Sequence, residues 1–347
     1  MYLLPPKKML IINILDILRR YTDEDHRLSQ KEILEILETE YSMNADRKAI
    51  KRNLMDLVAS GYTIECSESV RKSKNGEDEI IYSNWYYVRD FSDAELRLLI
   101  DSLLFSKHIP YSQCKDLIVK LNKLSNIYFN AKMKHVRNLP ENMPSNKQLF
   151  LTIEILDEAI SKGKQVSFHY NEFGIDKKLH PRLSSTGEVR EYIINPYQIV
   201  ATNGRYYLIC NYDIYDDVSN YRVDKITDIR LLDSAVKPMR KVVGLEKGLN
   251  LPKHMAEHVY MFAGRSVSVK FRAALSIVGE IVDWFGSDVK FSNDSGDTVD
   301  ARISVNENAM FYWALQYGPH IEILEPAELR EKVKAAAVGM VEKYHEQ

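Results

Sequence analysis

A chain of 347 residues exceeds one ordinary hydrophobic core, so about two or three domains are expected. Hydrophobic residues at 45% and charged residues at 28% fit a globular protein and exclude a disordered or fibrous one. A net charge of −2 gives no global attraction to nucleic acid, so any surface that binds it must be local.

No apolar run reaches the roughly 18–20 residues that span a bilayer, and no membrane partner is expected. The stretch from Met9 to Leu18 follows a basic pair as a secretory leader would. However, Asn13 and Asp16 interrupt it, and Arg19-Arg20 follow without a small-residue cleavage site. Cys66, Cys114 and Cys210 are odd in number and far apart, which gives neither a disulfide framework nor a zinc spacing. A reducing cytoplasm is the expected compartment.

Ile11, Ile14, Leu15 and Leu18 recur at helical spacing and predict a first amphipathic helix. Ser29 with Glu32 three residues on forms a capping box for a second helix, which turns Ile33, Ile36 and Leu37 inward. Asp46 is the N-cap of a third helix that stops at Gly61, with Ile50, Leu54, Leu57 and Val58 as its buried stripe. Beyond Gly61 the period becomes strand-like. Two apolar runs flank a polar stretch in which Asn75-Gly76 signals a hairpin.

Three helices and a hairpin with a basic tip match a winged helix-turn-helix, whose third helix enters the major groove of DNA while the wing touches backbone. The candidate DNA contacts are Arg47, Lys48, Lys51 and Arg52 on the third helix and Arg71, Lys72 and Lys74 on the wing. The same elements occur in modules that never touch DNA. Residues 1–89 hold 14 basic against 15 acidic side chains, so periodicity alone leaves both readings open. The run from Asp46 to Leu57 resembles the recognition helix of DeoR-like regulators, with Asn53 where that pattern has Asp.

Residues 91–146 read as a helical linker. Two amphipathic stretches, Ser92–Lys107 and Tyr111–Phe129, are separated by Ile109-Pro110, and a boundary is marked by Pro140 and Pro144. A further helix is expected from about Lys147 to Ser161. Between Gln165 and Leu232 short alternating runs follow one another, punctuated by Asn171, Gly174, Gly187 and Asn203-Gly204. About five short strands in such a span suggest a small SH3-like barrel.

In this segment the chain resembles WYL-domain proteins. Gly204-Arg205-Tyr206-Tyr207-Leu208 stands for the naming tripeptide, and the element Tyr221 to Ile226 matches the family's aromatic-Arg-hydrophobic-Asp-basic-Ile pattern. Val166, Phe168 and Tyr170 match its opening strand, and Asn195-Pro196-Tyr197 its proline-containing turn. Tyr206 replaces Trp, and Lys225 replaces Arg, which weakens a bidentate grip on phosphate.

The resemblance implies an effector-binding module, with nucleic-acid ligands proposed for some members. Tyr170, Tyr206 and Tyr207 offer aromatic faces, and Arg205, Arg222, Lys225 and His169 offer positive charge. Together they suit a nucleotide or oligonucleotide effector with stacked bases and paired phosphates. A packed barrel whose aromatics fill its core accounts for the same residues. Tyr206 and Tyr207 point to opposite faces, so at most one lines a given surface. Arg222 is expected to project to the open surface, or else to bridge to Asp224.

From about Val259 the order is βαββαβ-like with a final helix from Ala327, which predicts a ferredoxin-like α+β domain similar to the extension that follows WYL domains. The expected fold is therefore α+β and multidomain. It comprises a winged helix-turn-helix over 1–90, the linker over 91–146, the barrel with its preceding helix over 147–235 and the extension over 236–347.

No P-loop, GxSxG, HExxH or dinucleotide-binding glycine pattern occurs, so neither an enzyme nor a cofactor is expected. His169, His180 and Cys210 match no familiar metal spacing. The expected function is an effector-responsive, sequence-specific transcriptional regulator. It would act as a repressor and as a homodimer on an inverted-repeat operator of double-stranded DNA. The resemblance extends to WYL regulators beside phage-defence genes. The alternative is an accessory protein that binds single-stranded nucleic acid and assists a larger machine.

Overall fold

A computed structural model of the chain describes residues 7–72, 78–106, 109–132 and 146–345. The fold is α+β, in two units, Met1–Met143 and Pro144–Gln347.

In the first unit, helices α1 (Leu10–Tyr21), α2 (Gln30–Tyr41) and α3 (Arg47–Ala59) bury Ile14, Ile17, Leu18, Ile33, Leu37, Ile50, Leu54 and Leu57 against Trp85. The expected caps form. Ser29 Oγ accepts from the Glu32 amide while the Glu32 carboxylate accepts from the Ser29 amide, and Asp46 Oδ1 accepts from the Ala49 amide at 2.7 Å. Gly61, just past α3, has φ +91°, a conformation that costs glycine little. Val58, expected inward, lies on the exposed face of α3 instead, since the core stripe closes with Leu57.

Strands β1 (Ile64–Lys72) and β2 (Asp78–Tyr87) pair antiparallel as a ribbon, anchored to the helices by mutual backbone bonds between Leu28 and Trp85. The expected turn at Asn75-Gly76, and Lys74 beside it, lie outside the described residues.

Helices α4 (Asp93–Phe105), α5 (Tyr111–Asn122) and α6 (Ile127–Lys132) complete this unit around Leu96, Ile100 and Phe129. The sequence predicts one helix from Tyr111 to Phe129, but the chain breaks between α5 and α6. The cause is Asn126, a buried side chain whose Oδ1 accepts from the amides of Tyr128 and Phe129 and so caps a new helix. Its Nδ2 donates to the Thr22 carbonyl and to Asp23, tying α6 to the end of α1.

In the second unit, α7 (Leu149–Lys162) ends at Gly163 with φ +60° and packs on a six-stranded sheet. The strands are β3 (Lys164–Phe173), β4 (Leu179–Pro181), β5 (Glu191–Thr202), β6 (Arg205–Tyr212), β7 (Val218–Arg222) and β8 (Ile226–Ala235). They run in the order β4-β3-β5-β6-β7, with β8 also paired to β3. Asn203 and Gly204, both at positive φ, make the tight β5–β6 turn.

Asn195-Pro196-Tyr197, expected as a turn, lies inside β5. The register slips by one residue between Pro196 and Gln198, and this bulge accommodates a residue that cannot donate to the ladder. The buried Asn195 is satisfied on both sides: its Nδ2 donates to Asn211 and Asp213, and its Oδ1 accepts from Gln165 and Lys237.

Helix α8 (Leu251–Glu257) leads to β9 (Ser266–Ala274), α9 (Val278–Phe285), β10 (Lys290–Ser292), β11 (Thr298–Asn306), α10 (Glu307–Gln316), β12 (Ile321–Glu325) and α11 (Ala327–His345). These four strands form an antiparallel sheet in the order β10-β11-β9-β12. Its core gathers Val269, Phe271, Ile281, Phe285, Val305, Met310, Trp313 and Leu329. No described helix is long and apolar enough to cross a membrane.

Candidate functional sites

On α3, Arg47, Lys48 and Arg52 are exposed, and one face carries both Lys48 and Arg52, four residues apart. Lys51 is half-buried because its ammonium lies 5.4 Å from the centre of the Tyr82 ring on β2. On the ribbon, Arg71 and Lys72 are exposed but stand opposite Glu79 and Asp78 in the strand register, which dulls the basic character of that end. Among the described residues none of these six cations lies within ion-pair distance of a carboxylate.

In the second unit the aromatic side chains form a nest. Tyr170, Tyr192 and Tyr221 meet edge-on with ring centres 4.9–6.2 Å apart, Phe168 packs against Tyr192 and Tyr221, and Tyr212 against Tyr192. Burial pushes the Tyr170 phenol up to about 12, and its oxygen accepts from the Arg222 amide at 3.2 Å. Burial also raises the Tyr221 phenol well above its ordinary value.

Cations cover the rim of this nest. The Arg182 guanidinium lies 5.3 Å from the centre of the Tyr170 ring, and that of Arg190 lies 4.8 Å from Tyr192 and 5.4 Å from Tyr212. Lys225 sits 5.8 Å from the Phe173 ring, its pKa lowered by burial and then by nearby Arg222. Arg182 is paired with Glu172, whereas Arg190, Arg205 and Lys225 have no carboxylate at ion-pair distance among the described residues.

The sequence-predicted residues separate into three groups. Tyr170 belongs to this nest and Arg222 and Lys225 border it, whereas Tyr207, directly opposite Arg222 in the β6–β7 register, packs with Val200, Ile209 and Met261 instead. Arg205 is near Tyr207 and has a buried Nε without a hydrogen-bond partner. Tyr206 pairs opposite Ala201 on the strand position before Tyr207 and so lies on the other face of β6, the face that Leu208 and Tyr212 share. His169 does not join the set. Strand alternation turns it away from Phe168 and Tyr170, and its Nδ1 meets Asp228 at 3.2 Å near the start of α7.

The fork of Arg222 is already engaged. Its Nε and Nη2 donate to the two oxygens of Asp224 at 3.0 and 2.7 Å, and the Asp224 side chain is only 8% exposed. Of the two expectations for Arg222, the bridge to Asp224 is therefore present.

Sequence reasoning does not reach Arg182, Arg190, Tyr192 and Tyr212. Arg190-Glu191-Tyr192 reads as strand alternation, and only the pairing of β5 with β3 and β6 shows that it faces the nest. His180, a candidate metal ligand from its type, is bound to Asp176 at 2.9 Å, and Cys210 is buried. No group of three or more His, Cys, Asp or Glu that could hold a metal occurs among the described residues.

Residues 152–231, from α7 into β8, match the WYL domain model. This segment is a WYL domain. Residues 265–341 match the WCX domain model, so the four-stranded C-terminal sheet and its helices follow the WYL domain as a second recognised module. Over 182 residues the chain is 26% identical to YobV of Bacillus subtilis (strain 168), described as an uncharacterized HTH-type transcriptional regulator; the match covers 52% of each chain.

Two solved structures are similar. One is proteasome accessory factor B/C (PafBC) of Arthrobacter aurescens, with 17% identity, 96% of this chain and 48% of that one covered, and a TM-score of 0.30. The other is a CRISPR Cas-related protein, with 15% identity, 97% and 84% coverage and a TM-score of 0.37. The chain thus spans about half the length of YobV and of the PafBC structure.

Proposed function

We propose that this WYL-domain protein is a DNA-binding transcriptional regulator, a repressor and a homodimer, whose WYL domain senses a nucleotide or oligonucleotide. In this reading α1–α3 with the β1–β2 ribbon form a winged helix-turn-helix within residues 1–90, and α3 reads the major groove of an inverted-repeat operator. Residues 91–146 link it to an SH3-like barrel within 147–235. The strand order β10-β11-β9-β12, with helices after the first and third strands, supports a ferredoxin-like extension within 236–347. The protein works in the cytoplasm without enzymatic chemistry, and a place in phage defence belongs to the same proposal.

The observation that carries the reading is the trio Arg47, Lys48 and Arg52, exposed and outside any ion pair among the described residues, on a helix capped and packed as a recognition helix must be. The effector proposal rests on the cationic rim of the tyrosine nest, Arg190 and Lys225, where a phosphate can meet uncompensated charge, and on the exposed Phe173 ring beside Lys225, where a base can stack. Arg222 keeps one terminal nitrogen, Nη1, outside its bond to Asp224 and can add to that contact. His169, Tyr206 and Arg205 are peripheral in this arrangement.

The test is genome-wide mapping of bound DNA followed by a gel shift on the best site, with and without short oligonucleotides. A palindromic duplex released by an oligonucleotide is the expected result. Binding confined to single strands would favour the accessory-protein alternative, which the same aromatic and basic face supports.

A further inference from the structure

The first unit holds a second concentration of unpaired charge, near the C-terminal end of α3 and not at its start, where Arg47 and Lys48 stand. Where β2 leaves the ribbon, a cleft of about 240 Å³ is lined by Arg19, Arg89 and Lys123, by one carboxylate, Asp90, and by Tyr87, Phe91, Leu124 and Ser125. Among the described residues, Arg19, Arg89 and Lys123 make no ion pair, and neither does Asp90.

Arg89 is the most constrained of the three. One terminal nitrogen donates to the Thr22 carbonyl, while its Nε is buried and has no hydrogen-bond partner. Burial lowers its pKa, and Asp23 and Asp93 offset this only from a distance. A half-buried guanidinium with no carboxylate at ion-pair distance is costly, and a bound anion would offset that cost. Arg19 is held at the same cleft by the Tyr87 ring, 5.1 Å from its guanidinium, and by the Tyr62 ring at 5.9 Å. Tyr62 follows the C-terminal end of α3, whereas Arg47 and Lys48 sit at its start, about 20 Å away along a helix of this length.

We propose that this cleft binds a small phosphorylated anion. Three cations against one carboxylate leave the lining about two charges positive, which suits a phosphoryl group, and a guanidinium fork matches its oxygens. Tyr87, Phe91 and Leu124 supply an apolar wall for an organic remainder. An anion held there joins the β2–α4 connection, through Arg89, to the α5–α6 turn, through Lys123, and so fixes α4–α6 against the three-helix head. Occupancy then sets how firmly the linker holds the DNA-reading module, independently of the tyrosine nest.

The experiment is thermal melting and calorimetric titration of the full chain with inorganic phosphate and pyrophosphate, against acetate and chloride at matched ionic strength. The variant is the double Arg19→Gln, Lys123→Gln, which spares Arg89 because Arg89 also bonds Thr22. The expected result is a saturable rise in Tm with phosphate or pyrophosphate, an affinity weakened about tenfold or more in the double variant, and no competition from duplex DNA. A rise that does not saturate, acetate binding as well as phosphate, undiminished binding by the double variant, or displacement by duplex DNA would each overturn the proposal.

Discussion

Removing Arg222 separates a structural arginine from a sensing one. Arg222→Ala strands Asp224, which is held in a two-point bond and is almost wholly buried, without its counter-charge. Breaking a buried pair from one side costs roughly 3–5 kcal/mol, and the partial exposure of Arg222 places the cost near the lower end, about 3 kcal/mol. The Tyr170 phenol, which accepts from the Arg222 backbone amide, keeps that bond, so the loss stays local.

In a unit of about 200 residues each kcal/mol moves Tm by about 2–4 °C, and the variant should melt about 6–12 °C lower. The double replacement Arg222→Met, Asp224→Leu removes both charges and should recover most of this. Scanning calorimetry reads both numbers. Arg190→Ala is the contrast, because Arg190 has no carboxylate to abandon; it should melt within about 2 °C of the parent yet lose oligonucleotide binding. If Arg222→Ala melted like the parent, the bond to Asp224 would not be what holds this corner. Full oligonucleotide binding by the Arg190 variant would remove the rim from the effector site.

Lys48→Ala with Arg52→Ala should weaken duplex binding by about 1–3 kcal/mol for each of the two side chains that reads a base, and flatten the salt dependence, while circular dichroism stays unchanged; a gel shift across a salt series checks it. Arg71→Ala with Lys72→Ala should lower affinity less, and without altering the preferred sequence, since both cations stand opposite acids on the ribbon; binding selection from a random pool would expose any change of preference. His254, buried with an unpartnered Nε2 and stacked on His258, has its pKa pushed down to about 4, by burial first and then by His258. Its neutral form therefore stabilises the fold fully above pH 6.5, and that stability is lost as pH falls toward 4, on the order of 3 kcal/mol in all. His254→Gln should flatten urea-melting stability across this window, and an unchanged slope would show that His254 does not titrate there. Asp300, held down to about 2 by Asn293 first and then by Lys270 and Arg272, keeps its contribution above about pH 4 and loses it as pH falls toward 2. An Asp300→Asn variant should lack that acid-limb loss in the same melts.

What the sequence discloses and what it hides divide along separation in the chain. Caps are written in residues three apart, so Ser29 with Glu32, Asp46 with Ala49 and Ser92 with Glu95 are legible from local spacing alone. The break between α5 and α6 is not, because Asn126 is fixed by Thr22 and Asp23, more than a hundred residues earlier in the chain. Pro196 misleads for a similar reason: a proline reads locally as a turn, and only the pairing of β5 with β6 supplies the bulge that lets the strand continue.

The candidate effector face follows the same rule. The motif from Tyr221 to Lys225 points to its centre, and alternation separates Tyr206 from Tyr207. Yet charge along a strand carries no information about which cations already have partners. Arg222 and Arg190 are equivalent in the sequence, each an arginine beside a strand with an acid one or two positions away. In the fold Arg222 spends its fork on Asp224, whereas Glu191 leaves Arg190 free to lie over two tyrosine rings. A cation outside any ion pair, over an aromatic wall, is where an anionic, planar ligand gains most, because no ion pair has to be broken to receive it. The proposed sensing role therefore moves from the best-matched residue of the motif to a neighbour outside it, and Arg222 becomes the residue that keeps the motif in shape.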